Sequence, residues 1–334
     1  MAARPVSGRV RVEPLGGAVE TAYEIARVCQ EHDQPDIPFS TLEGYRVAQA
    51  NGWPGYTYER SLGLLDGKPV GLMELDMSQD DNLDTVNIGI AVLPSARRHG
   101  VGRALWEAAV ARTHALGRRH LIGPTVQRHP DGGAFATAMG ATAGLEEIRS
   151  RLDIRTLDQA HLDGLLAEAR ARAGGYELVR WTGVAPDEII DDVAYLQGRL
   201  VGDAPVGDLA WEAEKVDADR IREDERSRLR RGRTSYHAGA LHAGRLVAVT
   251  TIAVENEKPA QVWQNITLVD PEHRGHRLGL LVKLENLRHV RENEPRAEVI
   301  DTFNAASNEH MLRVNRAMGF QPVESTIQWQ KTVA

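Results

Sequence analysis

The chain has 334 residues, a formal net charge of −7, 42% hydrophobic residues and a single cysteine, Cys29. This length is ample for two domains, and the acidic balance argues against nucleic-acid binding through a basic face. One cysteine excludes an intrachain disulfide and a thiolate metal cluster. The sequence shows no apolar run of membrane-spanning length and no signal-peptide core in MAARPVSGRV. We therefore expect a cytoplasmic globular protein with no membrane or nucleic-acid partner.

The first half of the chain predicts an alternating order of helices and strands. A helical pattern in GAVETAYEIARVCQE precedes two apolar strands joined by a turn in RSLGLLDGKPVGLMEL. A third strand alternates Val86, Ile88, Ile90 and Val92, which is typical of a half-buried strand. A loop rich in glycine and arginine follows, then a helix, the strand HLIGPTV, another helix and a final strand.

The second half predicts the same order of elements. Its segments are PDEIIDDVAYLQGRL, YHAGALHAGRLVAVTTIAV, a third strand with its loop and helix, and AEVIDTF. The segment LDQAHLDGLLAEARARAGG, between the halves, predicts a linking helix that ends in a glycine cap. We place the two domains at residues 8–158 and 176–334, with the linking helix at 159–175.

Three landmarks indicate that the halves are copies of one domain, called copy 1 and copy 2. GKPVGLMEL begins at Gly67 and GRLVAVTTI at Gly244, 177 residues later. The segments AVLPSARRHGVG and LVDPEHRGHRLG align at the same offset, and two later AMG tripeptides align at an offset of 179. This spacing predicts a tandem duplication, and each copy is expected to form a mixed, mostly antiparallel sheet with helices on both faces, an α/β architecture.

The loop SARRHGVGRA, residues 95–104, has the composition of an anion-binding turn. A strand that turns through glycines into a helix presents free backbone N–H groups, and the helix dipole favours a phosphate there. Arginines next to the turn add contacts to phosphate oxygens. Neither copy has the Gly-Lys-Ser/Thr of a nucleotide P-loop, and Leu105 stands where a dinucleotide fingerprint needs its third glycine.

Both loops resemble the signature of the GCN5-related N-acetyltransferase (GNAT) superfamily: Arg or Gln, two residues, Gly, one residue, then Gly or Ala. Copy 1 has the complete signature at residues 97–102, and copy 2 has Arg277 in place of the middle glycine at 274–279. The order of motifs is similar to that of tandem bacterial members. A side chain at Arg277 would crowd a bound phosphate unless its φ angle is negative.

The resemblance implies that each loop binds the pyrophosphate of acetyl-CoA as co-substrate, and that the preceding strand pairs with the pantetheine arm. The cofactor-binding residues implied in copy 1 are Val92, Arg97, Arg98, His99, Gly100, Val101, Gly102 and Arg103. Those implied in copy 2 are Val269, Arg274, Gly275, His276, Arg277, Leu278, Gly279, Asn304 and Asn308.

The later helix of the family distinguishes the copies. In the family it begins with an asparagine, and a tyrosine placed to protonate the departing thiolate follows seven residues later. Copy 2 has Asn308 and, in the tyrosine position, Asn315; copy 1 has His129 and Ala136. We expect copy 2 to be catalytic, with copy 1 binding CoA without turnover, shaping the substrate cleft or bracing its partner.

The expected catalytic residues of copy 2 are Asn315, Thr267 and Asp203, with Gln264 also lining the cleft. An amine substrate must lose a proton before it attacks a thioester, and the oxyanion that forms needs a backbone N–H donor, which we expect near Val269. Asn315 would orient a water or bond the thioester. Asp203 is a candidate base; alternatively it is a turn residue in VGDAP.

These residues predict an acetyl-CoA-dependent N-acyltransferase that modifies the amine of a small molecule by direct attack. The alternative is a non-catalytic CoA-binding or interaction protein with degenerate domains, which the missing tyrosines favour. His273, His276 and His310 do not have the spacing of a metal-ligand set, so we expect no metal. A monomer and a homodimer both stay open.

Overall fold

The computed structural model describes residues 9–333, which contain ten α-helices and twelve β-strands. The elements are β1 (Val10–Pro14), α1 (Val19–Asp33), α2 (Leu42–Ala50), β2 (Tyr56–Leu65), β3 (Lys68–Ser78), β4 (Thr85–Val92), α3 (Val101–Ala115), β5 (His120–Val126), α4 (Pro130–Ala138), β6 (Thr142–Asp153), α5 (Gln159–Arg172), β7 (Glu177–Thr182), α6 (Ile190–Gly198), α7 (Leu200–Asp203), α8 (Ala218–Arg230), β8 (Arg233–His242), β9 (Arg245–Glu255), β10 (Gln261–Val269), α9 (Leu278–Asn293), β11 (Val299–Ala305), α10 (Glu309–Met318) and β12 (Gln321–Thr332). Among the described residues, none of the helices combines the length and hydropathy of a membrane span.

The described chain divides into two compact units. Unit 1 contains the residues up to Leu145, the short segment Gly207–Trp211 and the residues from Thr326 onward. Unit 2 contains Glu146–Val206 and Glu212–Ser325.

The sheet of unit 1 has the strand order β1-β2-β3-β4-β5-β12. Its ladders are antiparallel except between β4 and β5, which run parallel. That parallel ladder covers only three pairs, from Thr85–His120 to Asn87–Ile122, so the two strands separate toward their C-terminal ends. One face of the sheet packs against α3 and α4 through residues such as Leu105, and the other packs against α1 and α2 through residues such as Ala22.

The sheet of unit 2 has the order β6-β11-β10-β9-β8-β7 and the same arrangement of neighbours. Its parallel pair, β10 and β11, is joined from Gln261–Val299 to Trp263–Asp301 and then separates. One face is covered by α9 and α5, with Leu281 at the centre of the core, and the other by α6 and α8. Both units therefore have the predicted mixed, mostly antiparallel sheet with helices on both faces, and the predicted fold class is confirmed.

The last strand of each sheet comes from a distant part of the sequence. Residues 326–332 of β12 pair with β5 in unit 1, and residues 147–153 of β6 pair with β11 in unit 2. The domain boundaries predicted at 8–158, 159–175 and 176–334 describe the repeat along the chain, and they stay predictions. Strand pairing places residues 147–153 in unit 2 and residues 326–332 in unit 1. This differs from the repeat because a β-ladder needs only a matching strand edge, which sequence periodicity does not encode.

A helix, α5, occupies the segment predicted to link the copies. Asp158 caps it by accepting a hydrogen bond from the backbone N–H of His161 (3.0 Å). Leu162, Leu166 and Ala169 are buried in the core of unit 2 together with residues of α9. The segment is therefore part of the packed core of unit 2 and not only a linker along the chain.

Candidate functional site

The two arginine-glycine loops have matching geometry. Each follows a single 3-10 turn, Pro94–Ala96 or Pro271–His273, and ends where α3 or α9 begins. The N-cap residues, Gly100 and Arg277, both lie in the left-handed region, and neither forms a side-chain cap. Uncapped backbone N–H groups at a helix N-terminus can bind an anion, and the binding of a phosphate by these loops stays a prediction.

The loops exchange glycine and arginine at their two left-handed positions. In unit 1, Arg98 has φ 68° and Gly100 has φ 88°; in unit 2, Gly275 has φ 87° and Arg277 has φ 56°. Each loop therefore holds one arginine in a conformation that costs a non-glycine residue about 1–2 kcal/mol. An uncrowded phosphate requires a negative φ at Arg277, and the observed φ is positive, so the Arg277 side chain is expected to crowd a phosphate bound at this loop. Its guanidinium lies 2.7 Å from the Glu168 carboxylate of α5.

The first arginine of each loop pairs with an aspartate at the end of a preceding helix. Arg97 contacts Asp33 at 2.7 Å and donates to the carbonyl of Val92 at 3.1 Å. Arg274 lies 3.0 Å from Asp203. Because the pair recurs in both units, it points to a common role in holding the loop, and it gives Asp203 a loop contact that the sequence did not predict.

The strand β10 contains a β-bulge where it leaves β11, and buried polar groups surround it. Residues 265 and 266 face the single residue Thr251 of β9. The side-chain amide of Gln264 donates to Thr250 Oγ1 (3.0 Å), the Thr251 carbonyl (2.9 Å) and the Ile266 carbonyl (3.2 Å). Thr267 Oγ1 lies 2.8 Å from Thr250 Oγ1. Predicted residues Gln264 and Thr267 therefore belong to one network, which fixes the bulge.

The network reaches the neighbouring strand and helix. Thr302 of β11 donates to the Gln264 carbonyl at 3.1 Å. Two residues further along β11, Asn304 Oδ1 accepts a hydrogen bond from Asn315 Nδ2 of α10 at 2.7 Å. Asn315 is 1% exposed, and its Oδ1 is buried without a hydrogen-bond partner. The structure thus joins Asn304 and Asn315 and leaves one unused acceptor, which is a site for a donor such as a water or an amide N–H.

The corresponding place in unit 1 is apolar and regular. The β3–β4 ladder has no bulge, and the positions that match Thr250, Gln264 and Thr267 by register are Met73, Ile88 and Ile90. Met73 and Ile88 are buried in the core.

The packing around the first helical turn after the loop also differs between the two units. A Cβ placed on Gly102 would meet the ring of Phe135 at 3.4 Å, so α4 packs closely on α3 in unit 1. A Cβ on Gly279 would meet only Val269 and Thr267 of β10 within 4 Å, at 3.7 and 3.9 Å. The helix α10 therefore makes no contact within 4 Å of that Cβ position.

Comparisons with known proteins agree with this geometry. Residues 19–130 match the Acetyltransferase (GNAT) family. A tandem GNAT protein from the clavulanic acid biosynthesis pathway is 28% identical to this chain with a TM-score of 0.81, over 98% of this chain and 99% of that one. No curated protein sequence matches. Residues 19–130 thus match the GNAT family, and the chain as a whole resembles a tandem GNAT protein.

Two further solved structures share the fold of this chain. A GCN5-related N-acetyltransferase from Sphaerobacter thermophilus is 13% identical with a TM-score of 0.67, over 99% of this chain and 97% of that one. The glucosamine N-acetyltransferase region of a fungal GH3 beta-N-acetylglucosaminidase is 10% identical with a TM-score of 0.67, over 99% of this chain and 39% of that one.

The other predicted site residues have structural contacts of their own. Asn308 caps α10, since its Oδ1 accepts from the Met311 backbone N–H at 3.2 Å. His99 contacts the Arg97 carbonyl at 2.9 Å, and the ring of His276 lies 5.4 Å from that of Tyr176. Val101 and Leu278 are buried in their cores. The role of these residues in binding CoA stays a prediction.

Two titratable groups were missed by the sequence reasoning. Lys283 of α9 is 1% exposed and lies 5.3 Å from the Phe320 ring, and its burial lowers its pKa to about 7. In unit 1, burial and the nearby Glu74 raise the pKa of Asp76 on β3 to about 6. Nothing in the sequence marks Lys283 except its place in the otherwise apolar run LGLLVKL, which burial alone makes significant.

Proposed function

We propose that this protein is an acetyl-CoA-dependent N-acyltransferase for the amine of a small molecule, and that unit 2 carries the reaction. The observation that carries the assignment is the polar bulge of β10, which unit 1 replaces with buried apolar side chains. Transfer requires donors aimed at the oxyanion, and a bulge is a frequent device for presenting backbone or side-chain groups next to an active site.

The residues of unit 2 fit an acetyl-CoA co-substrate in two respects. The uncapped backbone N–H groups at the start of α9 suit a pyrophosphate, while Arg274 and Arg277 of the loop are paired with Asp203 and Glu168. The buried, unpaired Oδ1 of Asn315 suits an amide N–H of the pantetheine arm, since a bound donor would remove the cost of an orphaned acceptor. CoA supplies the activated thioester, and the chain supplies its placement.

In this reaction the neutral amine nitrogen attacks the thioester carbonyl and its N–H proton is lost to a base or to water. The C–S bond breaks, and the thiolate leaves with a proton from a donor in the site. Asn315 has no proton of the required acidity, so it would position a water for this step. Asp203 is tied to Arg274, which supports a role in positioning the loop over its predicted role as the base.

A non-catalytic CoA-binding protein is the second candidate. The observation that favours it is the absence of the tyrosine in both later helices, where Asn315 and Ala136 stand.

Asp76 in unit 1 is a reason to test both units for catalysis, since a carboxyl group with a pKa of about 6 suits a general base near neutral pH.

The deciding experiment is a calorimetric titration of the protein with acetyl-CoA, with substitutions in each loop. We expect Gly279→Glu to weaken binding at least about 100-fold because its carboxylate repels the phosphates, and Gly102→Glu to change it less than about threefold. Gly279→Ala is the matched control, since its Cβ would make only ordinary contacts. Binding lost only with Gly102→Glu would assign the co-substrate to unit 1 and overturn the proposal.

Turnover is then measured as thiol release with a panel of amines. We expect Asn315→Ala, which gives unit 2 the residue of unit 1, to lower kcat about 10- to 100-fold while the protein still melts cooperatively. If Asp76→Asn lost turnover while Asn315→Ala kept it, the reaction would be assigned to unit 1. CoA binding without turnover of any amine, by the unsubstituted protein, would support the non-catalytic candidate.

A further inference from the structure

Three potential metal ligands meet in unit 1, at a place separate from the polar bulge of unit 2. His32 and Asp33 end α1, and His129 is the N-cap residue of α4. The rings of His32 and His129 lie 5.2 Å apart. One donor atom from each of the three side chains lies within 4.8 Å of the other two.

We propose that His32, Asp33 and His129 form a binding site for a divalent transition-metal ion of the Zn²⁺ type. Two imidazole nitrogens and one carboxylate oxygen are a donor set that Zn²⁺ accepts, and three protein ligands leave a coordination position for water or another group. Mg²⁺ and Ca²⁺ prefer sites built wholly from oxygen.

The side chains are close to the spacing that a metal requires. Donors at about 2.0–2.2 Å around a tetrahedral ion are roughly 3.5 Å apart. The His32 and Asp33 donor atoms are already 2.7 Å apart. His32 is exposed and His129 half-buried, so both rings can turn without disturbing a packed core. The His129 side chain does not cap α4, which leaves it available to face His32.

The carboxylate of Asp33 is oriented for metal binding by its second partner, Arg97. Arg97 holds Oδ2 at 2.7 Å, while Oδ1 faces His32. Arg97 would thus orient the ligand from outside the metal, as groups behind metal-binding carboxylates commonly do. A bound ion would connect α1, α4 and the loop of unit 1 through Asp33.

The test is a calorimetric titration of the metal-free full chain with Zn²⁺, together with Co²⁺ absorption spectra and melting curves. We expect saturable binding of one ion, a higher melting temperature with Zn²⁺ and Co²⁺ bands of a tetrahedral or five-coordinate site. His129→Asn keeps a good N-cap residue but removes the imidazole, and it should weaken Zn²⁺ binding at least about tenfold. His32→Asn should act in the same way.

His114→Ala is the matched control, because His114 is an exposed histidine at the end of α3 in the same unit. It should leave Zn²⁺ affinity within about twofold, whereas surface binding of the metal would respond equally to all three substitutions. Absence of saturable binding by the unsubstituted protein would overturn the proposal. So would equal affinity in His129→Asn, His32→Asn and the unsubstituted protein, provided that each melts cooperatively.

Discussion

Unit 1 and unit 2 have the same order of sheet neighbours and equivalent loop conformations, but they differ in the first strand of the parallel pair, β4 in unit 1 and β10 in unit 2. In unit 2 the strand bulges, and its Gln264 and Thr267 bond Thr250 of β9. In unit 1 the strand is regular and has Ile88 and Ile90 at these positions, next to Met73 of β3. Polar groups in a buried strand are costly unless they bond each other or a ligand. A duplicated fold can therefore keep its architecture while its two copies differ in the buried polar groups of one strand.

The same contrast extends to the next strand. Asp301 of β11 is fully buried and contacts Arg149 at 2.7 Å, Arg151 at 2.6 Å and Gln261 at 2.6 Å. The position that matches it by register in unit 1 is Ile122, which is 1% exposed. Unit 2 thus places an ionic network where unit 1 places a hydrophobic side chain.

The largest expected effect on stability comes from breaking that network. Asp301→Ala should lower the free energy of unfolding by about 3–5 kcal/mol, because it leaves Arg149, with 0% side-chain exposure, short of its nearest carboxylate. Urea unfolding followed by tryptophan fluorescence measures the change. In unit 1, Glu74→Ala removes the more exposed partner of Arg60 and should cost about 1 kcal/mol or less. Equal costs for the two variants would contradict the comparison.

Lys283 gives a smaller effect of opposite sign. Its pKa of about 7 in the folded protein is below the ordinary value near 10.4, so between these values the unfolded chain binds a proton that the folded chain does not. This lysine therefore makes stability rise with pH from about 7 to about 10, and its penalty is fully present below pH 7. Lys283→Met should stabilise the protein by about 1–3 kcal/mol at pH 7.

The advantage of Lys283→Met over the unsubstituted protein should shrink as the pH approaches 10. Melting temperatures across this range measure it. Lys68→Met is the control, because Lys68 is exposed at the start of β3 in unit 1, and it should show no such pH-dependent difference. An advantage that is constant with pH would mean that Lys283 stays charged in the folded protein.

The smallest effect on stability is expected at the bulge, with a separate effect on turnover. Thr250→Val removes the hydroxyl that contacts Gln264, Thr267 and the Ile266 carbonyl, and it should cost about 1–2 kcal/mol. If unit 2 is catalytic, kcat should also fall about tenfold because the bulge loses its support. Thr113→Val in α3 of unit 1 removes an equally buried hydroxyl that bonds the Ala109 carbonyl, and kcat should not respond.

The sequence by itself determined the repeat, the order of elements, the likeness to the GNAT family and the two arginine-glycine loops. These features depend on local signals: apolar periodicity, glycines at turns and a short motif that recurs at a fixed offset. The same signals could not show that Arg98 and Gly275 would both adopt left-handed angles, because those angles depend on how the loop meets its helix.

Tertiary structure alone decided the features that depend on pairs of distant residues. Strand pairing gave each sheet a final strand from the other half of the chain, and it placed a bulge in β10 and none in β4. Burial gave Lys283 its lowered pKa, and folding brought His129 to His32 and Asp33. Each of these is a long-range contact, and the energy of such a contact depends on distance and solvent exposure in space, which spacing along the chain does not contain.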